Sequence, residues 1–245
     1  MIISNQKNIK KEKNKYIDLT DYEINTLIYK DALKMDKRNY IQYYLSLIKT
    51  KHEIVFTFIN YNDYNSLIIK INFFFFSFTL YLTINAFFFS EKTVNKIDDD
   101  GGSINLNYQL PQIVYSSLIS SVMNMIVKTL CFTEKNIIDM KQAQSKNLKD
   151  KKIATLKCIT MKSIIYFIST FVLLLFFWYY LSCFCAIYKN TQLHLIKDSL
   201  ISYAFSMMYP FAIFLLPGLF RIPALRSAKR DKETMFKISK ILQLI

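Results

Sequence analysis

Four stretches of this chain stay free of charged side chains for as long as a helix needs to cross a bilayer, and that limits what it can fold into. They lie between Lys70 and Glu91, between Asp100 and Lys128, between Lys162 and Lys189, and between Asp198 and Arg221. A hydrocarbon core of ~30 Å takes about 20 apolar helical residues to span. The first stretch contains Phe73-Phe74-Phe75-Phe76 and Phe87-Phe88-Phe89, and the third runs apolar from Phe171 to Trp178. Ser116, Ser117, Ser120, Ser121 and Asn124 dilute the second. The fourth carries Pro210 and Pro217, which a membrane helix tolerates as kinks when neighbours satisfy the freed carbonyls. The chain has three glycines in 245 residues, fewer than a soluble α/β protein needs for its turns and ligand loops. The predicted fold class is all-α integral membrane: a four-helix transmembrane bundle with a cytosolic amphipathic N-terminal arm. The spans fall at about 68–90, 108–130, 162–187 and 198–220, in a membrane domain of 66–220 between an arm, 1–65, and a tail, 221–245.

Charge placement sets the orientation. The arm, the 133–160 loop and the tail hold 25 Lys and Arg residues, against 4 in the 91–111 and 188–198 loops. Basic residues accumulate on the cytosolic side, so both termini and the middle loop are expected in the cytosol. The first outer loop is acidic instead, with Glu91, Asp98, Asp99 and Asp100. The remaining lysines, Lys70, Lys128 and Lys162, begin or end spans on the same cytosolic side, where long side chains are expected to snorkel to headgroups.

The arm has local signals of its own. Thr20 followed by Glu23 reads as a capping box, with Ile24, Leu27 and Ile28 at helical spacing behind it. Asp36 is a candidate cap for a second helix, with Tyr40, Ile41, Tyr44, Leu45 and Ile48 on one face. A basic, Tyr-rich amphipathic helix ahead of a span predicts either an interfacial element on anionic lipid or a cytosolic helix pair packed on the bundle. The tail from Arg221-Ile222-Pro223 onward is expected against the same leaflet. Basic clusters attract acidic headgroups at about 1 kcal/mol per residue, which accounts for a net charge of +14 without nucleic acid. No zinc-finger or RNA-binding fingerprint is present. The polar, lysine-rich start from Met1 to Lys15 lacks the apolar core of a cleavable signal peptide.

No residue set reaches the specificity of a catalytic, cofactor or metal motif, and the chain is not expected to be an enzyme. The two histidines, His52 and His194, fall in segments on opposite sides of the membrane. Cys183 and Cys185 lie two apart, which on a helix points them to different sides. Cys131 and Cys158 sit near the cytosolic boundary, where cysteines are candidates for palmitoylation. Ser117, Ser121, Asn124 and Lys128 follow the spacing of one helical stripe, which either packs small residues against a neighbouring helix or lines an aqueous path. Asn72 and Asn85 are candidate partners across that seam. Pro210, Pro217 and Gly218 mark a kink and helix end, or the hinge of a gate.

Several runs, namely Leu19 to Glu23, Asn62 to Ser66, Trp178 to Gln192, Tyr209-Pro210 and Leu216 to Pro223, carry a likeness. Over about Leu19 to Ile245, the chain resembles the C-terminal multi-pass region of large, uncharacterised transmembrane proteins of ciliates and related protists. In those proteins the region tends to follow a long, often cysteine-rich ectodomain. The resemblance implies no activity and no catalytic residues. This sequence departs from it in carrying no ectodomain, and its abrupt end at Ile241 to Ile245 fits a truncated gene model or a paralogue. The leading expectation is a non-enzymatic anchoring or assembly module of a larger surface protein, as a homo-oligomer or with other membrane subunits. The alternative is a channel or transporter subunit, which an acidic residue within a span would favour.

Overall fold

A computed structural model describes residues 19–89, 91, 92, 95, 99, 106–142, 148–189, 191–226 and 232–243. Residues 1–18 of the expected arm, most of the acidic outer loop, and 227–231 and 244–245 of the expected tail lie outside the described residues. Those described are mostly helical, with no strand among them. The chain divides into two compact units, Tyr64–Met208 and Met1–Asp63 with Tyr209–Ile245. The division differs from that read along the sequence, because arm and tail share a unit and take the end of the fourth apolar window with them.

The unit Tyr64–Met208 contains the helices long and apolar enough to cross a membrane. They are α5 (Leu67–Phe88), α6 (Leu106–Cys131), α8 (Leu148–Ile187) and the first part of α9 (Gln192–Ile213), which passes into the other unit at Tyr209, with a short α7 (Glu134–Gln142) between α6 and α8. Cross-helix pairs fix their directions. Phe73 meets Phe132 while Phe88 meets Tyr115, so α5 and α6 are antiparallel. Asn72 pairs with Tyr166 and Phe89 with Phe184, so α8 runs with α5. Tyr203 touches Phe74, Phe78 and Tyr81, and Leu195 packs with Ala86 and Phe89, so α9 opposes α5. Successive long helices therefore alternate in direction. At 1.5 Å per residue the 40 residues of α8 make a rod of about 60 Å, roughly twice a hydrocarbon core, so this helix begins within the lysine-rich loop, well before the expected span. The second stops at Cys131, and Thr133 takes hydrogen bonds with Asn65 and Tyr64 before α7 begins.

Two apolar clusters hold this unit together, one around Phe73, Phe76, Leu80, Val127, Tyr166 and Phe177, the other around Ala86, Phe89, Leu181, Phe184 and Leu195. The three edge lysines lie near the first cluster at one end of the helices. Lys128 stands over the Phe73 ring at 5.5 Å, and Lys162 donates to the Phe132 carbonyl at 3.3 Å. Lys70 departs from the expectation of a snorkelling side chain, being only 2% exposed. It lies three residues before Phe73 on the packed stripe of α5, so its stem enters the interior with its neighbours.

The other unit is built from short helices: α1 (Asp21–Thr26), α2 (Tyr29–Met35), α3 (Tyr40–Lys51), α4 (Glu53–Phe58), α10 (Leu215–Arg226) and α11 (Lys232–Leu242). The capping box at Thr20 and Glu23 forms as its spacing predicts. The cap of α3 is Asn39, not Asp36, with Gln42 completing a second box. Asp36 instead closes α2 and turns inward to two arginines. Tyr43, Leu47 and Ile48 form the buried face of α3 against Phe214 and Ile222, while Ile41 and Leu45 stay exposed. The tail also departs from a leaflet-lying segment at its start, since Arg221, Ile222 and Ala224 are buried in this unit.

The fourth apolar window breaks at Phe214, between Pro210 and Pro217. A proline cannot donate to the carbonyl four residues back, so two of them seven apart loosen the helix from both sides. Tyrosines of α3 then serve the carbonyls around the break: Tyr44 donates to Phe211 at 3.1 Å and Tyr40 to Leu215 at 2.8 Å. Gly218 lies directly under the Tyr40 ring.

Candidate functional site

Polar side chains concentrate along the inner faces of α5, α6 and α9. On α6 the buried residues among those described are Ile113, Ser116, Ser120, Asn124, Val127 and Cys131. Of the predicted stripe, Asn124 is buried, and Ser117, Ser121 and Lys128 are half-buried along its edge. Asn124 donates to Ser77 of α5 at 2.6 Å, Ser121 pairs with the Tyr81 hydroxyl at 3.3 Å, and Ser116 pairs with Ser202 of α9 at 3.0 Å. Leu118, Ile119, Val122 and Ile126 face outward on the opposite side. Asn72 does bond across helices, accepting from Tyr166 at 2.8 Å, whereas Asn85 donates within its own helix to the Tyr81 carbonyl.

The partner face on α9 was not read from the sequence. Leu195, Asp198, Ser199, Ser202 and Ser206 are its buried residues, at helical spacing. The charge-free window had placed Asp198 at a span edge. Because α9 begins at Gln192, the carboxyl lies about 9 Å along the helix, and the residue is 2% exposed. The available signal was the recurrence of serine at 199, 202 and 206 behind an aspartate.

A second charged centre, in the other unit, was also missed. Arg221 has no solvent exposure. Its Nε donates to Asp36 Oδ2 at 2.9 Å, its Nη2 to the Ile24 carbonyl at 2.9 Å, and Nη1 reaches the Asn25 carbonyl at 3.5 Å. The guanidinium is sandwiched by the rings of Tyr43 and Phe236, 5.0 and 4.8 Å away. Arg38 completes the arrangement as a fork on Asp36, with Nε on Oδ1 at 2.7 Å and Nη2 on Oδ2 at 2.9 Å, and extends to Asn25 and Ser46. Burial alone would raise the Asp36 pKa. The guanidinium of Arg38, with that of Arg221, outweighs this and holds the carboxyl below its ordinary 3.8. At the same centre Lys240 donates to the Thr26 carbonyl at 2.9 Å, and burial, with the nearby Arg221 charge, lowers its pKa. The arrangement clasps the arm to the tail through a buried ion pair and its carbonyl partners.

The remaining sequence candidates separate. Cys131 is 1% exposed inside the Phe73 cluster, so acylation there would require the helices to part; Cys158 is exposed on α8. Cys183 is exposed and Cys185 half-buried. Pro210 lies inside α9, while Pro217 and Gly218 are buried in α10. Among the described residues no group of three or more His, Cys, Asp or Glu side chains is placed to hold a metal. Compared with known proteins, the chain matches no family profile, no curated protein and no solved structure.

Proposed function

We propose that the chain is a multi-pass membrane module that anchors or assembles a larger surface protein, with its helices held by polar pairs across tight seams. The observation that carries this reading is the trio of side-chain pairs Asn124–Ser77, Ser121–Tyr81 and Ser116–Ser202, which tie α6 to both neighbours. Small hydroxyl residues let helices approach closely in lipid, where packing rather than hydrophobic exclusion drives association. Alternation of the long helices, with the three edge lysines at one end, supports four crossings with both termini cytosolic. Exposed Ile41 and Leu45 beside Lys37 and Lys49 support an inner leaflet of anionic lipid as the partner of the N-terminal segment.

Orientation is tested by single cysteines in a background without the native ones. Cysteines at Asn95 and Asn190 are expected to react with an impermeant thiol reagent from outside the cell, and those at Ser145 and Ser227 only after permeabilisation. Outside labelling of Ser145 with none at Asn95 would invert the topology.

Seam packing has its own test. Ser116→Leu and Ser120→Leu force a larger side chain into a close approach, at about 1 to 3 kcal/mol each. At Ser116 the lost hydrogen bond to Ser202 adds about 0.6 kcal/mol, so overpacking dominates. Val122→Leu on the outer face should leave thermal stability in detergent unchanged. Equal losses on both faces would remove the seam from the argument.

Asp198 favours one rival, a channel or transporter subunit, since an ionisable residue inside a span marks an ion path more often than a scaffold. Under that reading a cysteine at Ser120 or Ser202 reacts quickly with small soluble thiol reagents, and Asp198→Asn abolishes a current in reconstituted bilayers. The anchoring reading expects neither.

A further inference from the structure

α8 starts at Leu148, well ahead of Lys162, where the third apolar window opens. Along this leading end Thr155, Ile159, Lys162 and Ser163 are half-buried, and Asn136 of α7 donates to Cys158 Sγ at 3.8 Å and accepts from Lys162 at 3.3 Å. The other side chains from Lys149 to Met161 are exposed. Ile153 and Leu156, 65% and 54% exposed, sit three residues apart on one face that α7 leaves open. Lys149, Lys151, Lys152 and Lys157 surround them, with Asp150 as the only acid of this end. On α7, Glu134 and Asp139 are balanced by Lys135 and Lys141, so the excess stays positive. The N-terminus of α8 adds about half a charge of the same sign. A basic helix with an apolar face is the pattern of a segment that lies on a membrane or fills a partner's groove.

Geometry removes the membrane. No glycine or proline interrupts Leu148 to Ile187, so this end continues the line of the crossing instead of folding onto the surface. Ile153 lies nine residues ahead of Lys162, which is about 13 Å along the axis. At a steep tilt of about 40° it still stands about 10 Å off the hydrocarbon, past a headgroup layer of about 5 to 8 Å. A second copy fits no better: crossing fixes both its height and its direction, so the same lysines would meet side by side. We propose that the end of α8 docks in the acidic, apolar-lined groove of a partner protein, of the kind that Ca2+ opens in an EF-hand sensor. The lysines answer the acidic rim, and Ile153 and Leu156 are the anchors that enter the groove. The proposal rests on the reading that α8 crosses the membrane, and it names a partner for the part that does not.

The test uses the full chain in phosphatidylcholine nanodiscs, with calmodulin as the probe. Labelled calmodulin is expected to bind with a micromolar or tighter dissociation constant in Ca2+ and at least tenfold more weakly in EGTA. Ile153→Glu with Leu156→Glu should weaken binding at least tenfold, and Ile153→Ala with Leu156→Ala repeats the test without added charge. Lys149→Glu with Lys152→Glu should weaken it as much and reduce its dependence on salt. Ile41→Glu with Leu45→Glu, on the other exposed basic helix, should leave it unchanged. Amide exchange across 149–161 should slow on binding, and in the unbound variants it reports whether the helix is kept. Binding that ignores Ca2+, binding lost through Ile41 and Leu45 but not through Ile153 and Leu156, or no binding at all would each overturn the proposal. So would protection of 149–161 by phosphatidylserine nanodiscs without calmodulin, which would give this end to the lipid. Calmodulin binding in nanodiscs beside an inverted cysteine-labelling pattern would keep the groove contact and overturn only the cytosolic placement.

Discussion

Asp36→Ala is expected to cost about 3 to 5 kcal/mol in the unit that joins the arm to α10 and α11, the scale on which breaking one side of a buried pair leaves the other charge uncompensated. Arg221 would remain enclosed by Tyr43 and Phe236 with only the Ile24 and Asn25 carbonyls for company. The measurement is amide hydrogen exchange of α1, α2 and α3 in the detergent-solubilised full chain, with trypsin cleavage at Lys37 and Arg38 as a second readout. Exchange should rise by about two to three and a half powers of ten, which is that energy converted at about 1.4 kcal/mol per tenfold. Asp36→Leu combined with Arg221→Met removes the fully buried pair, leaves Arg38 with Asp21 at 3.6 Å, and should recover most of the protection, because an apolar pair of similar size is often no worse than a buried ion pair. Loss as great in the double variant as in Asp36→Ala would show that shape, not charge, holds the clasp.

Acid should reproduce the single substitution. The folded pKa of Asp36 is depressed below 3.8, so its contribution is fully present at and above that value and is lost as pH falls through the lower, folded pKa. Exchange protection compared between the parent and Asp36→Asn should therefore differ by a constant amount from neutral pH down to about 4, then converge. A difference that shrinks already between pH 7 and 5 would point to another group.

Gly218→Ala sets two effects of opposite sign against each other. Alanine favours a helix over glycine by about 1 kcal/mol. A Cβ on Gly218 would stand 2.7 Å from Cε2 of Tyr40 and 3.0 Å from its Cδ2, closer than packed carbons come. The ring cannot swing aside freely, since its hydroxyl holds the Leu215 carbonyl at 2.8 Å. Overpacking at about 1 to 3 kcal/mol plus a strained or lost hydrogen bond should exceed the helix gain. Gly218→Ala is expected to lower the melting temperature in detergent, and Gly218→Val to lower it further. With Tyr40→Ala already present, the same Gly218→Ala change should become stabilising. A loss of the same size in both backgrounds would remove Tyr40 from the explanation.

What the sequence made legible was local or periodic. A run of apolar residues announces a long helix wherever it packs, and the box at Thr20 and Glu23 is complete within four residues. Asp36 was misread as a cap because aspartate caps helices readily, yet Asn39 with Gln42 offers the same chemistry three residues later, and the Asp36 carboxyl is claimed by Arg38 and Arg221. The polar stripe on α6 was displaced by roughly 60° around the helix, because Ser117 and Ser121 lie one residue beyond the buried Ser116 and Ser120. Adjacent serine pairs give no clue to which member faces inward. The face of α9 stayed hidden because charge-free windows count Asp198 as a boundary, when burial against Ser-rich neighbours lets it lie within the helix. The Arg221 clasp has no periodicity at all, and only the fold brings its parts together.

That separation has a consequence for synthesis. Asp36 and Arg221 are 185 residues apart, so the arm leaves the ribosome long before its arginine exists. At translation rates of about 5 to 20 residues per second, the wait is on the order of 10 to 40 s. During it α1 to α3 lack the helices that cover Tyr43 and Leu47, and the apolar face of α3 is open to chaperones, to lipid and to premature association. This segment is made well before its partners, and any ribosome that stops before α10 releases a chain in which α1 to α3 have nothing to close upon.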